Sequence, residues 1–356
     1  MGYNLKSMPG VLRDISVFID DVREASQTFS KGNFGYPLSG GGLELDLVEA
    51  AFLLQCDRLV VMQGKKKMSF NSLFDYASRK VEDFSIKYLV FKDLRERGFI
   101  VKPESGSFDL RVYPRGLSPS KSAPLYMVCA VSERAALNIT DFMDEIAQSE
   151  DRGKQLLYGV VDEEGDLTYY KMAILDPEGK VSPTARVEPV KGNLVGDRIF
   201  VFDAEGGQTL RDEAFYGKDM QGVLQLSLIE GCHLIGTGEL KVSGKGGKEI
   251  SREELVSFGK KTQDEFLLRL RAYEDLRGRG LVVKTGFKYG THFRVYEASP
   301  DECHARYLVH AVPASTVAMW PDISRTVRLS GGVKKQILFC RVSDEIEYLE
   351  FKWFRP

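Results

Sequence analysis

The sequence predicts a mixed α/β (α+β) fold built twice in tandem. Each repeat has a small N-terminal mixed α/β subdomain followed by a C-terminal α/β subdomain. Three observations carry this. Residues 94–113, LRERGFIVKPESGSFDLRVY, match residues 276–296, LRGRGLVVKTGFKYGTHFRVY. The match extends both ways: GGLELDLVEAAFLL (41–54) to QGVLQLSLIEGCHLI (221–235), and GKQLLYGVVDEEGDLTYYKM (153–172) to KKQILFCRVSDEIEYLEFKW (334–353). The offset drifts only from 183 (Tyr113 to Tyr296) to 181 (Tyr126 to Tyr307), so small loop changes separate two copies of one framework. Finally, 356 residues with 43% hydrophobic content suffice for two cores, each of ordinary domain size.

The elements follow in order. The first layer, roughly 10–65 and 195–245, reads as short β segments with a Gly-rich turn and one amphipathic helix; Leu43, Leu45, Leu47 and Val48 flank the helix start. The second layer opens on a long helix. Ser251 and Glu254 have capping-box spacing, and Leu255, Phe258, Phe266, Leu267 and Leu270 recur at helical spacing up to Arg279-Gly280, where glycine suits a left-handed cap. Ser69 opens the counterpart, which ends at Gly98. Then come the run Leu281 to Val283, a Gly-containing turn, alternating Phe293, Val295 and Tyr296, the run Tyr307 to Val312, a polar connection, and late strands Ile337 to Val342 and Tyr348 to Trp353. The boundaries expected are a first repeat over 1–178, a linker over 179–194 and a second repeat over 195–356. The Pro- and Lys-containing stretch 175–193 has no period and reads as an extended connection.

Composition excludes little but shifts weight. A net charge of −2 announces no global basic field, although a local patch would suffice for nucleic acid. Cys56, Cys129, Cys232, Cys303 and Cys340 are scattered without metal spacing, so reduced thiols, no metal site and no cofactor are expected. No apolar run is long enough to span a bilayer; a soluble, cytoplasmic protein without a membrane partner is expected.

A duplicated chain is its own control. Shared residues build the fold, whereas polar differences mark candidate chemistry. Tyr296, His304 and Lys335 of the second repeat correspond to Tyr113, Ala123 and Lys154 of the first, so only the histidine is lost outright. His292, opposite Asp109, is the rival, and position alone does not choose between the two. His233 and His310 read as packing residues. Lys334-Lys335, after two glycines and before an apolar strand, could set a cation against a phosphate.

LRGRGLVVKTGFKYGTHFRVY, HARYLVHAVP and VRLSGGVKKQIL together resemble the catalytic unit of tRNA-splicing endonucleases, nearest the archaeal homodimeric type with two fused units per chain. The resemblance covers nearly the whole chain. It implies a nuclease-like C-terminal subdomain over about 251–356 and catalytic Tyr296, His304 and Lys335, thereby selecting His304 over His292. It implies a non-catalytic first repeat and one active site per chain, because Ala123 replaces the histidine there. Arg328 matches an arginine that stacks on a bulged base; Arg341 and His292 are further RNA-binding candidates. The acidic turn Asp162, Glu163, Glu164, Gly165, Asp166 resembles the loop by which such units dock a partner copy. The implied substrate is precursor tRNA with a bulge–helix–bulge, cut without metal to a 2′,3′-cyclic phosphate and a 5′-OH by a homodimer. Chemistry agrees: the RNA brings its 2′-OH nucleophile, and the enzyme adds a base (Tyr296), an acid (His304) and a cation (Lys335). Two rivals remain at this stage, a non-catalytic RNA-binding scaffold that needs a partner and a metal-dependent DNA nuclease.

Overall fold

A computed structural model of the chain describes residues 8–181 and 188–356. Two compact units divide it, one ending at Ala173 and completed by Val317–Ser324 and Lys352–Pro356, the other built from Ile174–Thr316 and Arg325–Phe351. Their strand registers agree position by position. In the first unit Val112 pairs with Tyr126, and Tyr126 with Gln155. In the second, Val295 pairs with Tyr307, and Tyr307 with Gln336. This is the tandem duplication legible in the sequence.

Each N-terminal subdomain is a six-stranded sheet. Two helices accompany it in each repeat, where the sequence reading expected one. The unforeseen helices, Val22–Ser30 and Ala204–Asp212, are short and begin at Asp21 and Asp203, whose carboxylates accept backbone N–H groups of the first turn. Ala25 and Thr28 are the buried residues of the first, so it leaves almost no apolar pattern. The expected helix, Leu47–Gln55, is buried all round rather than amphipathic, from Leu47 through Leu53.

A second difference concerns the long helix expected after Ser69 and Ser251. Both serines do cap helices, Phe70–Lys80 and Arg252–Thr262, and Ser251 forms the capping box with Glu254. Each helix then breaks, and a new one starts at Phe84–Glu96 or Phe266–Gly278. Asp83 and Glu265 take left-handed conformations at the breaks, with φ of 51° and 55°. Thr262 donates its hydroxyl to the carbonyls of Phe258 and Gly259 instead of extending the helix. The chain folds back so that the Phe266 ring lies against Gly259, where a Cβ would come within 2.4 Å of it. The hydrophobic period continues across the break, which hid it.

The nuclease-like subdomain of the second unit contains five consecutively hydrogen-bonded strands, in the order Val282–Thr285, Phe293–Tyr296, Tyr307–Pro313, Gln336–Val342, Ile346–Phe354. The Tyr307 and Gln336 strands are parallel, joined through helix Trp320–Gly332; their neighbours are antiparallel. The first unit repeats this with Ile100–Pro103, Leu110–Tyr113, Tyr126–Ser132, Gln155–Val161 and Leu167–Leu175. One apolar cluster in each unit fills both subdomains, running from Ile199 and Leu226 to Val309 and Leu338 in the second. Burying each such aliphatic side chain contributes roughly 1.5–3 kcal/mol.

Polar residues join the two subdomains of a unit. In the first, Lys102 Nζ meets Glu49 Oε1 at 2.8 Å, both side chains almost fully buried. Glu49 also accepts the Gly35 N–H, and Lys102 donates to the Gly35 carbonyl. In the second, Glu230 accepts the Gly217 N–H at 2.8 Å and Lys284 donates to the Gly217 carbonyl at 2.8 Å. Only glycine fits either turn: φ is +70° at Gly35 and +59° at Gly217, and a Cβ would meet a carbonyl oxygen at 2.6 Å or 2.4 Å.

The expected linker needs correction at its end. Residues 190–194 belong to strand Val190–Val195, which pairs with Leu240–Ser243 inside the second N-terminal sheet. Alternate burial at Val190 and Gly192 fits a strand edge, a pattern too short to stand out beside proline and lysine. Before it, Gly179, Lys180 and Val181 donate backbone hydrogen bonds to Arg279, Glu297 and Gly280. Residues 182–187 of the linker lie outside the described residues. All five cysteines are free thiols. Among the described residues no helix is long and apolar enough to cross a membrane.

Candidate active site

One end of the second unit's central sheet gathers the three residues singled out by sequence. Strand Phe293–Tyr296 ends there, while the parallel strands Tyr307–Pro313 and Gln336–Val342 both begin there. The intervening segment is stitched between them: Arg306 N–H donates to Val295 O at 2.9 Å, and Gln336 N–H to Arg306 O at 3.0 Å.

Tyr296 is 7% exposed and packs with Val282 and Ala305 in a small cluster that also takes Val181, Phe215 and Cys303. Lys335 reaches the same segment from the opposite side, its Nζ donating to the Ala305 carbonyl at 3.1 Å. Helix Trp320–Gly332 delivers this lysine. The helix ends in a turn in which Lys334 takes φ +54° and Lys335 N–H caps the Ser330 carbonyl at 3.1 Å. His304 precedes Ala305 and is exposed; its ring makes no hydrogen bond among the described residues. A phenol, an imidazole and an ammonium therefore meet around residues 303–305, and the lysine keeps two donors for a ligand.

Two neighbours escaped the sequence reading. The Arg294 guanidinium lies 5.9 Å from the Tyr296 ring, and Lys335 Nζ is 5.9 Å from the Tyr289 ring. Burial raises the Tyr296 phenol above its usual value, while Arg294 pulls it back. Arg294 was within reach of sequence logic, because residues i and i+2 of a strand share a face. Its copy Arg111 is paired to Glu104, whereas Arg294 has no ion pair among the described residues.

The other candidates divide. Arg328 is exposed on the helix that delivers Lys335. Arg341 sits near the far end of strand Gln336–Val342, roughly 16 Å along it from Gln336. It is paired to Glu347 and bonded to Ser343 Oγ at 3.4 Å, so it faces away from the three residues and is spoken for. His292 likewise lies at the other end of its strand from Tyr296. Its Nδ1 accepts the Ala311 N–H at 3.1 Å, and its ring stacks on His310 at 4.5 Å. Burial, His310 and Arg269 push its pKa down to about 4. Neither residue joins the three-residue site.

The first unit has the frame without the set. Tyr113 is buried like Tyr296, Lys154 follows the matching helix, and exposed Ala123 occupies the loop position of the histidine. Asp162, Glu163, Glu164 and Asp166 form an exposed turn between strands Gln155–Val161 and Leu167–Leu175. Asp162 Oδ1 accepts the N–H groups of Glu164 and Asp166 at 3.0 and 2.8 Å, and Glu163 pairs with Arg134. Among the described residues no group of three or more His, Cys, Asp or Glu could hold a metal ion.

Comparison with known proteins adds an independent line. The family model for the tRNA intron endonuclease catalytic C-terminal domain matches residues 84–169 and again 266–348. The model for the N-terminal domain of the same family matches 8–74 and 190–256. The chain is 40% identical over 334 residues to a tRNA-splicing endonuclease of Methanosarcina barkeri, covering 92% of this chain and 95% of that one. It is 38% identical over 330 residues to one of Methanosarcina mazei (91% and 93% covered) and 34% over 354 residues to one of Halobacterium salinarum (95% and 96%).

Proposed function

This chain belongs to the tRNA intron endonuclease family and acts as a tRNA-intron endonuclease, and from that premise we propose how it cuts: without metal, at bulge–helix–bulge sites of precursor tRNA, with the second repeat catalytic and the first non-catalytic. The observation that carries this reading is the convergence on Ala305. Lys335 Nζ holds its carbonyl at 3.1 Å, Tyr296 packs on its side chain, and exposed His304 precedes it.

Tyr296 takes the proton of the 2′-OH as the O2′–P bond forms. Burial keeps its phenol protonated near neutrality, so the phenolate that accepts this proton depends on nearby cations, Lys335 and Arg294. Lys335 offsets charge on the pentacovalent phosphorus. As the P–O5′ bond breaks, His304 gives its proton to the leaving oxygen. Atoms balance to a 2′,3′-cyclic phosphate and a 5′-OH. Arg328, exposed and beside this site in sequence, stacks on an unstacked base, worth about 1–3 kcal/mol. One site per chain and two cuts per intron call for a symmetric homodimer, with the exposed acidic turn 162–166 as its docking element. A reducing cytoplasm suits five free thiols.

End-group analysis tests this. Cleavage of a bulge–helix–bulge RNA in EDTA should leave cyclic phosphate and 5′-OH ends, and a 2′-deoxy residue at the scissile position should block it. Cleavage of the deoxy substrate, or activity lost to EDTA and restored by a divalent cation, would overturn the mechanism.

A further inference from the structure

The two repeats differ most in charge at a place away from the three catalytic candidates. In the second unit Arg198, Lys218, Glu230, Arg269, Lys284 and His292 line a cavity of about 360 Å³ between the N-terminal sheet and the nuclease-like subdomain. The strand registers identify the equivalent residues of the first unit. Arg198 pairs with Ser227 as Ser16 pairs with Asp46, and Lys218 with Gln225 as Tyr36 pairs with Glu44. Lys284 corresponds to Lys102 and Glu230 to Glu49, each pair meeting the matching glycine. Arg269 and Lys87 are both the fourth residue of their helices.

The decisive exchange is Asp109 for His292. Both side chains accept the same backbone N–H: Asp109 Oδ2 from Ala130 at 2.8 Å, His292 Nδ1 from Ala311 at 3.1 Å. Asp109 also pairs with Lys87 at 3.0 Å, so the first unit's cation is neutralised in place. His292 is kept neutral by burial and by its cationic neighbour, so it provides the backbone acceptor but no charge. Arg269 has lost its counter-ion; its side chain makes no hydrogen bond or ion pair among the described residues, and its Nε is buried without a partner. Glu265, one turn earlier, is over half exposed and lies 3.6 Å from His292 Nε2. Across these positions the second unit sets Arg198, Lys218, Arg269 and Lys284 against Glu230. The first sets Lys87 and Lys102 against Glu44, Glu49 and Asp109. Equivalent backbones thus carry opposite charge balances, and the excess cations face an open cleft.

We propose that this cleft of the second unit is a phosphate-binding subsite that holds a backbone phosphodiester of the RNA substrate away from the cut, with Arg269 and Lys218 as its principal ligands. It rests on the reading of the chain as an RNA-cleaving enzyme. His292 is roughly 13 Å along the strand from Tyr296, a distance that a few nucleotides bridge. The source of the phosphate is an RNA strand rather than a free anion, because the cleft is open and shares its strand with the catalytic candidates.

Two variants of the full chain test it. Arg269→Gln with Lys218→Gln removes the ligands. His292→Asp restores the carboxylate that the first unit uses and should cancel the arginine while keeping the Ala311 hydrogen bond. Affinity is read by fluorescence anisotropy over a series of KCl concentrations, with a precursor RNA made uncleavable by 2′-deoxy residues. Both variants should bind about tenfold more weakly, with a salt slope shallower by about 0.7–0.9 for the phosphate lost. Unchanged affinity and slope in His292→Asp, whose thermal midpoint verifies folding, overturns the proposal even if the double variant fails to fold. Calorimetric titration with inorganic phosphate separates the sources: saturable binding lost in the variants, with RNA affinity unchanged, would assign the cleft to free phosphate and overturn the RNA subsite. Failure of the parent protein to cut ribose-intact RNA would instead remove the functional reading, while the anisotropy series still decides the cleft.

Discussion

At the scale of single residues, the site depends on one buried and one exposed group meeting at a short loop. Tyr296 is fixed by packing on Val282 and Ala305, so its ring is structural and its hydroxyl chemical. Tyr296→Phe should keep the packing and thermal midpoint yet reduce the single-turnover cleavage rate by about 10²–10⁴. A rate within a few-fold of the parent would remove the hydroxyl from the mechanism. His304 was legible in the sequence because its copy is alanine and because an exposed side chain has no packing role to confuse with function. Arg341 was not legible. Its neighbours in sequence resemble those of a recognition arginine, but strand length carries it to the wrong end and Glu347, six residues on, pairs with it.

At the scale of elements, the stacked imidazoles of His292 and His310 join two strands at the end opposite the site. The pKa of His292 falls from 6.5 to about 4, and burial also lowers that of His310. Arg269 and Glu265 face the pair from the helix Phe266–Gly278 and its preceding turn. The unfolded chain therefore binds more protons than the folded one between pH 4 and 6.5. The stability held by the neutral ring is complete above pH 6.5 and is lost as pH falls toward 4. Between pH 7 and 5 this amounts to about 2 kcal/mol. Thermal melts of the parent and of His292→Asn should diverge in pH dependence over that range, the variant being flatter; equal slopes would count against a neutral His292 as the source. The sequence displayed the disagreement between Asp109 and His292 but not its consequence. Lys87 lies 22 residues from Asp109, and Arg269 lies 23 from His292, so the partnership exists only after helix and strand have packed. The helix breaks at Asp83 and Glu265 were hidden for a related reason, since apolar spacing continued through a turn set by left-handed backbone.

At the scale of the whole molecule, duplication frees one copy to drift. The first unit keeps the strand registers, the capped helices and the buried Glu49–Lys102 pair, yet Ala123 stands in place of a proton donor. Its acidic turn is organised by Asp162 and exposed, which suits docking to a second copy. Replacing Asp162, Glu163, Glu164 and Asp166 by their amides should weaken dimers by tenfold or more in sedimentation at low salt, and less at high salt, where screening already reduces such contacts. An unchanged association constant would move the docking surface elsewhere.

The central claim is that each chain has one working proton donor for RNA cleavage, and that it is His304. The direct measurement is the single-turnover cleavage rate of His304→Ala on a bulge–helix–bulge RNA, alongside its affinity for the uncleavable form. The expected result is a rate about 10²–10⁴ lower with affinity retained; cleavage within a few-fold of the parent, at equal binding, would contradict it.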